Sequence, residues 1–144
     1  MIDVLERVGS VVDAGSNLVQ LVTQDRDAAV EVFKDYHIYT AKAVYLWQPE
    51  RGLRRLDLPH IATPQTEDLR HLLDHIAHSH HFGIYLLEGY GRELEDPQIA
   101  EALIQLNHAE WRERHVLVFL DQDSHLHTSL TGQVVRRNVD AVRT

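Results

Sequence analysis

The sequence predicts a three-layer α/β domain, a mostly parallel five-stranded sheet with helices on both faces. Three observations carry this. Short apolar runs of strand length alternate with segments of helical period, which is the pattern of a parallel sheet with crossover helices. The runs are almost continuously apolar and rich in β-branched and aromatic residues, as strands buried on both faces are. Finally, 144 residues with 44% hydrophobic and 25% charged side chains suit one globular domain able to bury its own core.

In chain order, a short amphipathic helix near residues 2–12 precedes the first strand, Leu18-Val19-Gln20-Leu21-Val22. A helix follows from Asp25 to Tyr36, with Ala29, Val32, Phe33 and Tyr36 on its apolar side. The second strand is Ala43-Val44-Tyr45-Leu46-Trp47. A loop from Gln48 to Ala62 holds Pro49, Gly52 and Pro59. Thr63-Pro64 reads as an N-cap with proline at the first helical position, leading into the stripe Leu69, Leu72, Leu73 and Ile76. The third strand lies in Phe82–Leu87. Asp96-Pro97 repeats the start signal ahead of Ile99, Ala102, Leu103 and Leu106. Val116 to Leu120 is the fourth strand, and Gln133-Val134-Val135-Arg136 a weaker fifth. Residues 1–144 read as a single domain, with its core at about 15–137.

Composition removes several chemistries. The chain has no cysteine, which excludes disulfides, thiolate nucleophiles and thiolate zinc sites. A formal charge of −8 disfavours general affinity for polyphosphates, so nucleic acid is not an expected partner. No apolar run reaches the length of a membrane span, and the first residues lack the apolar core of a secretory signal, so the expected compartment is the cytoplasm and no membrane partner is expected.

Ligands of parallel α/β sheets gather beyond the carboxyl ends of the strands. Asp25, Glu88, Asp121 and Asp123 follow three of the runs there. Together they could hold Mg²⁺ or Mn²⁺ for phosphoester hydrolysis, as in a phosphoesterase or nuclease. The favoured reading is instead that these acids sit at helix N-termini and in solvated turns, with no chemistry following. A phosphate loop is excluded more firmly: neither lysine, Lys34 or Lys42, follows a glycine. The turn Thr23-Gln24-Asp25-Arg26, where such a loop would stand, has no glycine and presents a carboxylate. Neither G-x-G-x-x-G nor G-x-S-x-G occurs. His71, His75 and His78 share one helix face opposite the leucine stripe, a weak metal candidate or a histidine-rich surface. Arg51-Gly52-Leu53-Arg54-Arg55 and Arg136-Arg137 read as surface charge.

The order of these pieces resembles a known module. The run Leu18–Val22 followed by Thr23-Gln24-Asp25-Arg26 is similar to its strand–T-x-[DE]-x-R opening. Val44-Tyr45-Leu46-Trp47 with Arg51-Gly52-Leu53, and Ile84–Glu88 with Leu94-Glu95-Asp96-Pro97, follow in the same order. The module is the degenerate RecA-like N-terminal region of the plastid and bacterial hypothetical-reading-frame AAA ATPases. The resemblance spans roughly residues 15–137 and implies the sheet order 5-1-4-3-2. It places Glu88 where the metal-binding strand of a working ATPase ends in an acid, and Asp121 at the sensor position. In that family the AAA motor follows in the same chain, whereas this chain ends at Thr144, so the motor module is expected to be absent. The implied function is a non-catalytic interaction or regulatory module without cofactor, acting on a protein partner such as a separate AAA ATPase, or as a homo-oligomer. The implied order leaves strands 43–47 and 133–136 at the two edges. An open edge is a template for pairing, so Tyr45, Trp47, Arg51 and Leu53 are the expected interface.

Overall fold

A computed structural model describes residues 2–13, 16–108, 114–121 and 126–138. The helices are α1 (Ile2–Val12), α2 (Arg26–Thr40), α3 (Leu69–Ala77) and α4 (Pro97–His108). The strands are β1 (Leu18–Val22), β2 (Val44–Gln48), β3 (Gly52–Arg55), β4 (Ala62–Thr63), β5 (Gly83–Leu87), β6 (His115–Asp121) and β7 (Val135–Asn138). Among the described residues these seven strands form one sheet, in the order β4-β3-β2-β5-β6-β1-β7. β2, β5, β6, β1 and β7 pair in parallel, and β3 and β4 are antiparallel additions outside β2.

The α/β class is as expected, but the sheet differs in strand count and order. The segment 48–62, expected as a loop, contains the turn and strand β3 that complete a hairpin with β2, and the first of β4's two residues. Glu50 and Gly52 adopt positive φ in the turn (68° and 79°), allowing Gln48 to pair with Gly52 and Trp47 with Leu53. β2 is therefore an interior strand, and the expected open edge at Tyr45 and Trp47 does not exist. Trp47 and Leu53 are fully buried, Tyr45 is half-buried and Arg51 remains exposed. The edge is instead β4, only two residues long and followed by Pro64, a combination that blocks further pairing.

Thr63 is also not a helix cap. It pairs with Leu53, and α3 begins six residues later under Asp68, whose carboxylate accepts the His71 N–H at 2.8 Å. α2 runs four residues past Tyr36 and closes at Ala41 in the left-handed region, while β7 is shifted two residues beyond the expected Gln133–Arg136. No helix among the described residues is long and apolar enough to cross a membrane.

Two apolar layers sandwich the sheet. α1 and α2 cover Val19, Leu21, Ile84, Leu86, Val116, Val118 and Leu120, while α3 and α4 cover Leu18, Trp47, Tyr85, Leu87, Leu117 and Phe119. Alternation along each parallel strand sends successive side chains to opposite layers, which is why both sets come from the same runs.

At the amino ends of the central strands, Tyr85 stacks on Tyr45 with centroids 5.0 Å apart and meets the His115 ring edge-on. Burial pushes the Tyr85 hydroxyl up to about 12. Burial also holds His115 below the ordinary imidazole range, although its ring contacts the Ser79 carbonyl at 3.1 Å. The unfolded chain takes up a proton on this residue near pH 6.5 while the folded chain resists it, so stability falls as the pH drops through that value. Thermal melts from about pH 7 to pH 5 should show a shallower decline for His115→Gln than for the wild type; equal slopes would refute the assignment.

Candidate functional site

The carboxyl-end edge is built from three strand exits. At the first, Thr23 is buried beyond β1, and its backbone N–H donates to the Asp121 carbonyl at 2.9 Å. Its hydroxyl oxygen accepts the Asp25 N–H at 3.0 Å. Asp25 Oδ1 in turn accepts the Ala28 N–H at 3.0 Å, capping α2. Helix N-termini attract anions because their first N–H groups lack intrahelical partners. Here the chain's own carboxylate takes that place, at the turn where a phosphate loop would stand.

The exit of β5 is the turn Glu88-Gly89-Tyr90-Gly91. Gly89 and Gly91 have φ of 72° and 59°, and a Cβ on Gly89 would come within 3.0 Å of Pro49 Cδ. Only glycine meets both conditions at position 89. The turn folds Tyr90 back into the core, where its ring meets Phe119 edge-on at 5.8 Å. The Tyr90 hydroxyl donates to Asp121 Oδ2, and Gln20 Nε2 donates to Asp121 Oδ1 at 3.4 Å. Glu88 belongs to a different group: it accepts from Gln48 Nε2, and Arg51 donates to Gln48 Oε1 at 3.4 Å.

The acids of the alternative metal-site reading are thus engaged with different partners. Asp25 caps a helix, Glu88 serves the hairpin turn, and Asp121 receives Tyr90 and Gln20; Asp123 lies outside the described residues. Among the described residues no group of three or more His, Asp or Glu side chains could hold a metal ion.

The α3 histidines are likewise engaged locally. His71 Nδ1 lies 2.6 Å from Asp68 Oδ2, His78 Nδ1 lies 2.8 Å from the Asp74 carbonyl, and His75 is exposed. The His71 backbone N–H, together with its ring, holds the Asp68 carboxyl below the usual range against the opposing effect of burial. Tyr90, Gln20 and Gln48 were not anticipated from the sequence. One signal was present for Gln20, a lone amide inside an otherwise apolar parallel strand. A groove of about 510 Å³ also runs between α3 and α4, floored by Leu73, Ile99 and Leu106.

Compared with known protein families, residues 4–139 match the family model described as the N-terminal domain of SpoVK-like AAA ATPases. Neither the curated proteins nor the solved structures compared with the chain gave a match.

Proposed function

Because the chain belongs to the family of SpoVK-like AAA ATPase N-terminal domains, we propose that it is a non-catalytic interaction module serving an AAA motor, without nucleotide hydrolysis of its own. In this reading it is a degenerate RecA-like unit that works on a protein partner, either a separate AAA ATPase or further copies of itself. The observation that carries the reading is the Asp25 cap. The first turn of α2 lacks glycine and lysine, and its Ala28 N–H is committed to a carboxylate of the same turn. A polyphosphate entering there would meet a negative charge in place of a cradle of free N–H groups.

Two measurements test this. A ligand at about 100 times its dissociation constant adds about 2.7 kcal/mol, roughly 8–10 °C in Tm for a chain of this size. Millimolar Mg·ATP should give no shift, and a clear one would overturn the reading. Asp25→Ala should cost about 1 kcal/mol of stability through loss of the cap and should not create nucleotide affinity. Binding of Mg·ATP gained by this variant would show that Asp25 blocks an otherwise intact site.

A further inference from the structure

The large apolar side chains left exposed among the described residues are Ile38, Tyr39, Leu58 and Ile61. All four fall on two segments, the last turn of α2 and the connection between β3 and β4. The segments meet where His37 Nε2 lies 3.6 Å from Asp57 Oδ2. Leu56 ties the connection to the sheet, donating its N–H to the Val44 carbonyl at 3.0 Å and packing against the layer that holds Phe33 and Tyr36. Ile38 is 67% exposed and Ile61 55%, well beyond what a packed helix end or turn needs.

The sheet explains why this corner is bare. On the α2 side, a cross-strand row runs Leu46, Arg54, Ala62. Leu46 is partly covered by the apolar layer beneath α1 and α2, but Ala62 is exposed at the edge. The two antiparallel strands extend the sheet outward, and Leu58 and Ile61 stand in the connection between them.

The charge around it is opposite to that of the whole molecule. The chain carries −8, yet both of its lysines fall on or just past the end of α2: Lys34 is on the helix, and Lys42 follows it with its ammonium 5.5 Å over the Phe82 ring. Lys34 is exposed one turn before Ile38 on the same stripe of α2. Arg54 donates to the Pro59 carbonyl at 3.1 Å, and His60 is exposed beside it. The acid nearest the corner, Asp57, is committed to Arg55 through two contacts of 3.0 Å. Asp27 and Glu31 sit in the first two turns of α2, away from its apolar end, and Asp35 is half-buried.

We propose that this corner is the docking site for an acidic amphipathic segment of a partner protein. Its apolar side chains would cover Ile38, Leu58 and Ile61, and its Asp and Glu residues would face Lys34 and Arg54, as in helix-in-groove recognition. The inference rests on the reading of the chain as an interaction module and supplies the partner's chemistry.

The test is an NMR titration of the isotope-labelled full chain with two helical peptides of equal length, one patterned from Leu and Glu, the other from Leu and Lys. The Leu/Glu peptide should shift resonances of residues 34–42 and 54–62 saturably, and raising the salt should weaken binding. Ile38→Asp combined with Ile61→Asp should weaken it by roughly tenfold or more, about 1.4 kcal/mol. The unchanged Tm of that variant would show the fold intact. Absence of binding, equal binding of the Leu/Lys peptide, or shifts centred on the α3–α4 groove would overturn the proposal. Concentration-dependent self-association abolished by the double substitution would overturn it too, because a second copy would then be the occupant. An Mg·ATP shift in Tm would strike the module reading instead and leave the peptide result standing.

Discussion

Phe119→Ala is expected to lower the unfolding free energy by about 3–5 kcal/mol, the usual cost of deleting a buried aromatic ring. Phe119 is fully buried at the centre of β6, flanked in register by Gln20 on β1 and Leu87 on β5. Rigid backbone ladders on both sides limit how far the surroundings can collapse into the void, which places the cost toward the upper end. Against a total stability of about 5–15 kcal/mol for an ordinary domain, the variant should be marginal at room temperature. Urea titration reads it as a lower midpoint at an unchanged slope. A loss under about 1.5 kcal/mol would mean that Phe119 is not a core side chain.

The same ring also supports the carboxyl-end site. Tyr90 leans on it edge-to-face at 83° and donates to Asp121. A double-mutant cycle of Phe119→Leu with Tyr90→Leu should therefore show a coupling of about 0.5–1.5 kcal/mol. Additive losses would mean that the two rings share only burial.

Thr66→Val should cost about 3 kcal/mol, although the side chain keeps its shape. Thr66 has no exposed surface. Its hydroxyl oxygen accepts the Leu53 N–H at 2.8 Å and donates to the Thr63 carbonyl at 2.7 Å. Its own carbonyl accepts Trp47 Nε1–H at 2.6 Å. One residue thus ties β3, the end of β4 and the indole of β2 together. Valine leaves the buried Leu53 donor without that hydroxyl, at about 1–3 kcal/mol, and removes the part-buried contact to the Thr63 carbonyl as well.

Thr66→Ser retains both hydrogen bonds and loses only a methyl, so it should cost about 1 kcal/mol. The order Val worse than Ser is the diagnostic result, and the reverse order would show that packing, not hydrogen bonding, holds the hairpin. Gly52 belongs to the same arrangement. A Cβ there would lie 2.9 Å from Thr66 Oγ1 on a backbone already at φ 79°, so the hairpin accepts no side chain at that position without displacing Thr66.

The parallel strands and the helices that cross between them were legible because their information is local. Runs such as Val116 to Leu120 carry apolar side chains toward both layers, and a segment that must be buried on two sides announces itself in composition. α4 was equally plain: Asp96 precedes Pro97, and the stripe Ile99, Leu103 and Leu106 faces the core. The absence of a phosphate loop could also be read directly, since such a loop is a contiguous motif.

The hairpin extension was hidden for the converse reason. Gly52-Leu53-Arg54-Arg55 has one apolar residue in four, and nothing within it prefers a strand to a loop. Its conformation is decided by the ladder with β2 and by a threonine 13 residues away. Thr63-Pro64 misled because a cap and the end of an edge strand use the same residues; pairing with Leu53 decided between them, and the true cap moved to Asp68. The site divides in the same way. By itself the sequence determined which acids follow which strands, and that the first turn carries Asp25 in place of glycine. The Asp25 cap, a contact to the Ala28 N–H three residues on, is likewise local, and only the tertiary structure decided that Glu88 turns to Gln48 and that Tyr90 and Gln20 meet on Asp121. Those last pairings join residues as many as 101 positions apart, and their partners are chosen by sheet order and register, which no local pattern encodes.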